Sequence, residues 1–186
     1  MYFWESQRGP SRARNRGILE SRGRILAFVD DDETVSEDWA KLLVDDFSNP
    51  EVTVVTGTVL DGNPDSAVGS TWFRLCSPSI EVETWFDASS NIPFSPVTAG
   101  KCGCANNMAF RRSFFFQHGL FDIGLGTGIL HLGYEEIDRF YVVLKTCGKI
   151  LFDPAVRVHH AFMDNRAGFL RKVFGYAAGQ SAYLTK

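Results

Sequence analysis

Arg24-Ile25-Leu26-Ala27-Phe28-Val29-Asp30-Asp31-Asp32 is the stretch on which the fold turns. Ile25 to Val29 is a continuous apolar run with β-branched ends, the pattern of a strand buried on both faces of a parallel or mixed sheet. Three aspartates end it. Carboxylates packed this closely repel one another unless a cation or a basic partner neutralises them. In open α/β sheets ligands bind outside the carboxyl ends of the strands, where this trio falls. Strand alternation points Asp30 and Asp32 one way and Asp31 the other, so the first and third can hold one divalent cation with its phosphate ligand. The plainer alternative is an acidic loop in water at the start of a helix.

Working outward, Pro10 suits a first helical position, and a short helix is expected from there to near Gly23. Downstream, Thr34 and Glu37 form a capping box, and Trp39, Leu42, Leu43 and Phe47 recur at helical spacing until Asn49-Pro50. Val52 to Leu60 reads as a second strand, closed by a turn cluster at 61–66. Helix, strand, helix, strand argues α/β. Residues 67–100 show no clean period beyond a helical piece near 67–77. Asn107 to Arg111 reads as a strand, with Ser113 capping a helical turn through Gln117 that Gly119 ends. Five glycines from Gly119 to Gly133 suggest a loop shaped for close approach. A helix from Ile137 to Gly148 follows, then a strand Lys149 to Phe152 and an extended piece Val156 to His160. Asn165 to Leu184 reads as an amphipathic helix with Phe169, Val173, Tyr176 and Ala177 on one face. The organisation expected is one domain over 1–162 and a C-terminal helix over 163–186.

Composition excludes other classes. With 186 residues, 45% hydrophobic and 22% charged, the chain buries a core and is neither disordered nor fibrous. Four cysteines are too few for a disulfide scaffold, and Cys102 and Cys104 are spaced too closely for a zinc hairpin, so they read as small core or near-site residues. No apolar run approaches the roughly 18 residues of a spanning helix. The expected location is cytoplasmic, with a peripheral place at the inner face of the membrane left open. The net charge of −3 hides a segregation: six arginines lie between Arg8 and Arg24, and six acids between Asp30 and Asp38. An arginine-rich nucleic-acid binder is disfavoured, because the acidic cluster would repel phosphate without a metal.

Several ordered motifs then coincide. Ala13-Arg14-Asn15-x-Gly17, Ser21 to Asp32, Gly103 to Arg112, Leu120-Phe121-Asp122, Gly126-Thr127-Gly128 and Gly133-Tyr134-Glu135-Glu136-Ile137-Asp138 together resemble family 2 glycosyltransferases, the GT-A fold enzymes that use nucleotide sugars. The resemblance implies that Asp30 and Asp32 hold a divalent metal, Mn²⁺ or Mg²⁺, on the donor diphosphate. It implies that Asp31 reaches the donor sugar or ribose, and that Arg14 and Asn15 line the nucleotide pocket. Glu136 falls on the family's catalytic base, a Glu in place of the usual Asp, with Glu135 as the fallback. Both could instead merely complement a helix dipole. His159 or His160 stands where related enzymes supply a metal ligand, and strand parity favours His160. The implied reaction is an inverting, metal-dependent transfer from a UDP- or dTDP-sugar to a hydroxyl of a glycan, lipid-linked or small-molecule acceptor. The family's opening βαβ half is not found. The expected architecture is therefore a partial GT-A fold, a mixed sheet flanked by helices without the first βαβ strands, whose open edge a partner protein could cover. The alternative function is a catalytically incomplete remnant that binds a nucleotide or a partner.

Overall fold

A computed structural model describes residues 2–63, 65, 70–71, 80–89, 95–126, 133–160 and 166–186. The helical piece expected near 67–77, Cys76, and Thr127 to Leu132 of the glycine loop lie outside the described residues, apart from Ser70 and Thr71.

Helix α1 (Pro10–Glu20) opens with proline at its first position, and the backbone leaves it at Ser21. Strand β1 (Ile25–Phe28) follows, then β2 (Glu33–Val35), α2 (Trp39–Asp46) and β3 (Val52–Asp61). Next come β4 (Thr84–Phe86), a 3₁₀ turn (Ala99–Cys102), β5 (Met108–Arg111) and α3 (Arg112–His118). The chain closes with α4 (Glu135–Lys145), β6 (Lys149–His160) and α5 (Arg166–Leu184). The sheet runs β1-β5-β3-β6-β2, with β4 also on β6. Among the described residues only β3 and β6 pair in parallel, so the sheet is mixed, as expected.

Both faces of the sheet are covered. On one, Phe110 sits among Phe114, Phe115, Phe121 and Phe140, with ring centroids 4.9 Å apart for Phe110 and Phe115. On the other, Leu43 and Phe47 of α2 pack against Val52, Val55, Leu151 and Val156. Burying each such side chain contributes about 1.5–3 kcal/mol, so these layers hold the strand ends in place.

Four expectations change. First, β1 is an edge strand, paired only with β5 among the described residues, and only Leu26 in it is fully buried. Its apolar run reads as doubly buried because Phe28 enters the phenylalanine cluster while Ile25 packs on the α2 side. Second, Thr34 caps no helix: it lies in β2 opposite His159, and α2 starts at Trp39. Third, Ser113 lies inside α3, whose N-cap position is Arg111. Fourth, Lys149 to His160 is one strand, running through Pro154 by a register shift beside Gly57 and Thr58.

That irregularity is built by two residues. A Cβ on Gly57 would lie 2.0 Å from the Val156 carbonyl oxygen, an approach only glycine permits. The buried Asn107 amide donates to the Thr58 and Val156 carbonyls at 3.0 and 2.9 Å and accepts from Trp39 Nε1 at 3.0 Å. The bulge therefore leaves neither of these carbonyls without a donor.

Candidate active site

Beyond the carboxyl end of β1 the backbone turns at Asp31 and Asp32 before entering β2. The three aspartates thus leave the strand, and pleat alternation no longer sets their directions. Asp30 accepts from Arg14 at 3.1 Å. Asp32 Oδ2 lies 3.5 Å from His160 Nε2. Asp31 is exposed and faces a groove of about 530 Å³ between α1 and β1, which Arg14 and Asp30 also line.

Arg14 is the hinge of this arrangement. Its guanidinium is 10% exposed and donates 2.6 Å to Glu135 Oε1 as well as reaching Asp30. Burial would lower its pKa, but Glu135 and then Asp30 outweigh that, and the pKa is raised. One cation thereby ties α1, the aspartate turn and the start of α4. Asn15 lies one residue on but does a different job. Its amide donates to the Phe121 carbonyl and accepts from the Phe121 N–H, both at 2.9 Å, and it lines neither the groove nor the cavity described below. The glycine loop also closes onto α1 where it is described: Ser11 Oγ donates to the Leu125 carbonyl, and a Cβ on Gly126 would lie 2.9 Å from that hydroxyl.

Tyr134, the N-cap residue just before α4, holds a left-handed φ of 78°. This turn sends the acids in different directions. Glu135 points to Arg14. Asp138 is buried against Arg139 and accepts from Lys186 at 3.1 Å. Glu136 faces a cavity of about 450 Å³, also lined by Asp30, Cys104, Asn106, Tyr134 and His160. Among the described residues its carboxyl has no ion-pair partner beyond the longer reach of Arg14. Burial first, and the charge of Glu135 second, push its pKa up to about 8.

His160 is the buried one of the two histidines, while His159 faces solvent beside Arg157. Burial lowers the pKa of His160 against the opposing pull of Asp32, a shift that favours the neutral imidazole over the imidazolium. Cys102 is buried in the core with its thiol pushed up to about 12, and Cys104 lines the cavity. Asp32 and His160 offer a carboxylate beside an imidazole, and Asp30 lines the same cavity as His160; such a mixed oxygen and nitrogen set suits Mn²⁺ better than Mg²⁺. Among the described residues, no three His, Cys, Asp or Glu side chains converge on one point.

Two residues escaped the sequence reading. Glu33 accepts from the Asp30 N–H at 3.2 Å and from the Asn106 amide, and burial pushes its pKa up to about 7. It anchors the aspartate turn, and its only sequence signal is that it extends the acidic run. Lys172 of α5 lines the cavity and acts electrostatically on His160. Nothing in its helical spacing marks it.

The profile of glycosyl transferase family 2 matches residues 1–116. The chain belongs to that family. It is 26% identical over 174 residues to the glucosyl-dolichyl phosphate glucuronosyltransferase of Haloferax volcanii, covering 91% of this chain and 53% of that protein. It spans about half the length of that protein and of the succinoglycan biosynthesis protein ExoM of Rhizobium meliloti, to which it is 31% identical over 158 residues. Among solved structures, it superposes on the mannosyltransferase PcManGT of Pyrobaculum calidifontis, in complex with GDP-Man and Mn²⁺, with a TM-score of 0.62 at 16% identity. That match covers 96% of this chain and 44% of the other. With GalNAc-T7, in complex with UDP, GalNAc and Mn²⁺, the TM-score is 0.54 at 23% identity, over 83% and 30% of the two chains. These likenesses establish a GT-A fold, here covering part of each larger chain.

Proposed function

We propose that the chain carries the sugar-transfer site of an inverting, metal-dependent glycosyltransferase. The observation that carries this reading is that Asp30, Glu136 and His160, distant in sequence, line one cavity beyond the strand ends. The donor diphosphate lies beside Asp30, with its nucleoside towards the groove of Arg14 and Asp31 and its sugar in the cavity. GDP-Man in one fold neighbour, and UDP with GalNAc in the other, support that donor class, and a UDP- or dTDP-sugar is the first choice. Asp32 and His160, joined by Asp30 once its carboxylate turns from Arg14 to the same point, would hold Mn²⁺ or Mg²⁺, which when bound would offset the charge of the departing diphosphate.

Glu136 takes the proton of the acceptor hydroxyl. The freed oxygen forms a bond to the anomeric carbon as the bond from that carbon to the diphosphate oxygen breaks, and the configuration inverts. A carboxyl whose pKa is raised towards 8 is a stronger base than an ordinary glutamate and is matched to a near-neutral reaction. Glu135 is less suited, because its oxygen is committed to Arg14. The test is Glu136→Gln with donor and acceptor supplied. Transfer is expected to fall by about 10²–10⁴-fold with donor binding intact; unchanged transfer would remove Glu136 from the chemistry.

A further inference from the structure

Glu33 has no part in the chemistry proposed above, yet it touches both sides of the site. It is the first residue of β2, and its partner in the antiparallel pairing with β6 is His160. Opposed residues of such a pair project from the same face of the sheet, so the Glu33 side chain leaves on the side of His160. There its two oxygens are divided between two donors. Oε2 accepts from the Asp30 N–H at 3.2 Å, and Oε1 accepts from the side-chain amide of Asn106, 73 positions away. Asp30, Asn106 and His160 all line the cavity, whereas Glu33 lines neither the cavity nor the groove.

The link it closes needs a fastening. Val29 to Asp32 belong to no strand, and three of the four residues are carboxylates that repel one another. Sheet pairing does not tie the two ends of the link together either, since among the described residues β1 meets only β5 and β2 meets only β6. The Glu33 carboxylate supplies the tie. Its bond to the Asp30 N–H fixes the backbone three residues back, and its bond to Asn106 fixes the link to the segment entering β5. That segment is itself held, because the neighbouring Asn107 amide bonds to the Thr58 and Val156 carbonyls and to Trp39. The aspartate turn is thereby registered against the cavity wall. With its backbone pinned, Asp30 can move its carboxylate away from Arg14 by side-chain rotation alone, while Asp32 stays beside His160.

We infer that Glu33 is a positioning residue: through the Asp30 N–H and the Asn106 amide it holds the aspartate turn in the geometry that receives the ion and the donor diphosphate, without touching either. What the turn receives rests on the sugar-transfer reading; the clamp itself rests on the two hydrogen bonds. A plain turn closure would need only the local bond to Asp30, and the long-range bond to a residue of the cavity wall is what marks the larger role. The role belongs to the bonds and not to the charge. A glutamine in this place can accept from the Asp30 N–H and donate to Asn106 Oδ1 once that amide turns over. Turning over breaks no other hydrogen bond of the Asn106 side chain among the described residues.

The experiment is calorimetric titration of UDP at fixed Mn²⁺ into the whole chain and into four variants, Glu33→Ala, Glu33→Gln, Asn106→Ala and the double alanine, each with a thermal melt. Glu33→Ala should weaken UDP binding by about tenfold or more, the scale on which lost orienting partners lower metal affinity. Asn106→Ala should weaken it by no more than that, and the double variant should match Glu33→Ala, because Asn106 acts through Glu33. Glu33→Gln should recover most of the loss. A Glu33→Ala chain that melts lower but binds as tightly as the wild type overturns the inference, since a mere brace behaves in that way. Losses that add in the double variant overturn it, and so does a Glu33→Gln no better than the alanine. If the melts show Glu33→Ala unfolded, Asn106→Ala decides: weaker binding supports the clamp, and unchanged binding overturns it. No UDP heat in the wild type removes the transfer reading and this inference together, whereas wild-type heat that survives in the variants removes this inference alone.

Discussion

At the residue scale, counterions rather than burial separate the three acids at the start of α4. Glu135, Glu136 and Asp138 look equivalent in sequence, yet Arg14 neutralises the first, and Arg139 and Lys186 the third. Glu136 alone of the three turns to the cavity. Its raised pKa fixes the sign of a pH effect: the protonated form cannot accept the acceptor's proton, so transfer should climb as pH rises towards about 8 and then level. That rising limb should be read in kcat against pH, and a rate flat from pH 6 to 9 would contradict it. Asp46 gives a stability counterpart away from the site. Burial, then Asp153, pushes its pKa up to about 7, and its Oδ2 is buried without a hydrogen-bond partner among the described residues. A carboxyl raised in the folded state holds its proton more tightly there, so stability is lost as pH rises from its unfolded value through about 7. Asp46→Asn should therefore stabilise the chain at pH 8 by on the order of 1 kcal/mol, after discounting for solvent screening, and hardly at all at pH 4. Denaturant melts at the two pH values check this. These roles were partly legible. The placing of Asp30 and Glu136 at turns that open on the cavity could be read from acids beside turn signals, whereas Glu33, Asn107 and Lys172 act through partners far away in sequence, which no local pattern displays.

At the element scale, two contacts hold the site together. Arg14 joins α1 to the aspartate turn and to α4, and removing it leaves Glu135, 4% exposed, as a buried charge without its counterion. Arg14→Met should cost about 3–5 kcal/mol, measured by urea unfolding; a loss under 1 kcal/mol would show that the bridge is not holding these elements. The seat of α5 makes a prediction with the opposite sign to helix propensity. In an open helix, Gly179→Ala would gain about 1 kcal/mol. Here the new methyl meets the Gly133 backbone at 2.6 Å, so the variant should be destabilised and the Tyr183 hydroxyl should lose its 3.1 Å bond to the Pro96 carbonyl. Thermal melting distinguishes the two signs. Helix and strand positions were readable because the 3.6 and 2 periods are local. The inward face of α5 was readable only in part: Phe169 and Tyr176 pack on Val59 and Val158, but Val173 and Ala177 are exposed, because the closest contacts are made by glycines, which add nothing to an apolar pattern.

At the scale of the whole molecule, the α/β class was legible from the alternation of elements, and the family from its ordered motifs. The strand order β1-β5-β3-β6-β2 was not, since it is set by which layers close over the phenylalanine cluster rather than by any one segment. Within it, the antiparallel pairing of β2 with β6, which sets Glu33 opposite His160, places Asp32 next to His160 although 128 positions separate them. Everything functional depends on this convergence being a nucleotide-diphosphate site. Calorimetric titration of UDP into the chain with and without Mn²⁺, repeated on Asp32→Ala, tests it most directly. The account predicts saturable heat that requires Mn²⁺ and is lost in the variant; no heat, or heat indifferent to Mn²⁺ and to Asp32→Ala, would contradict it.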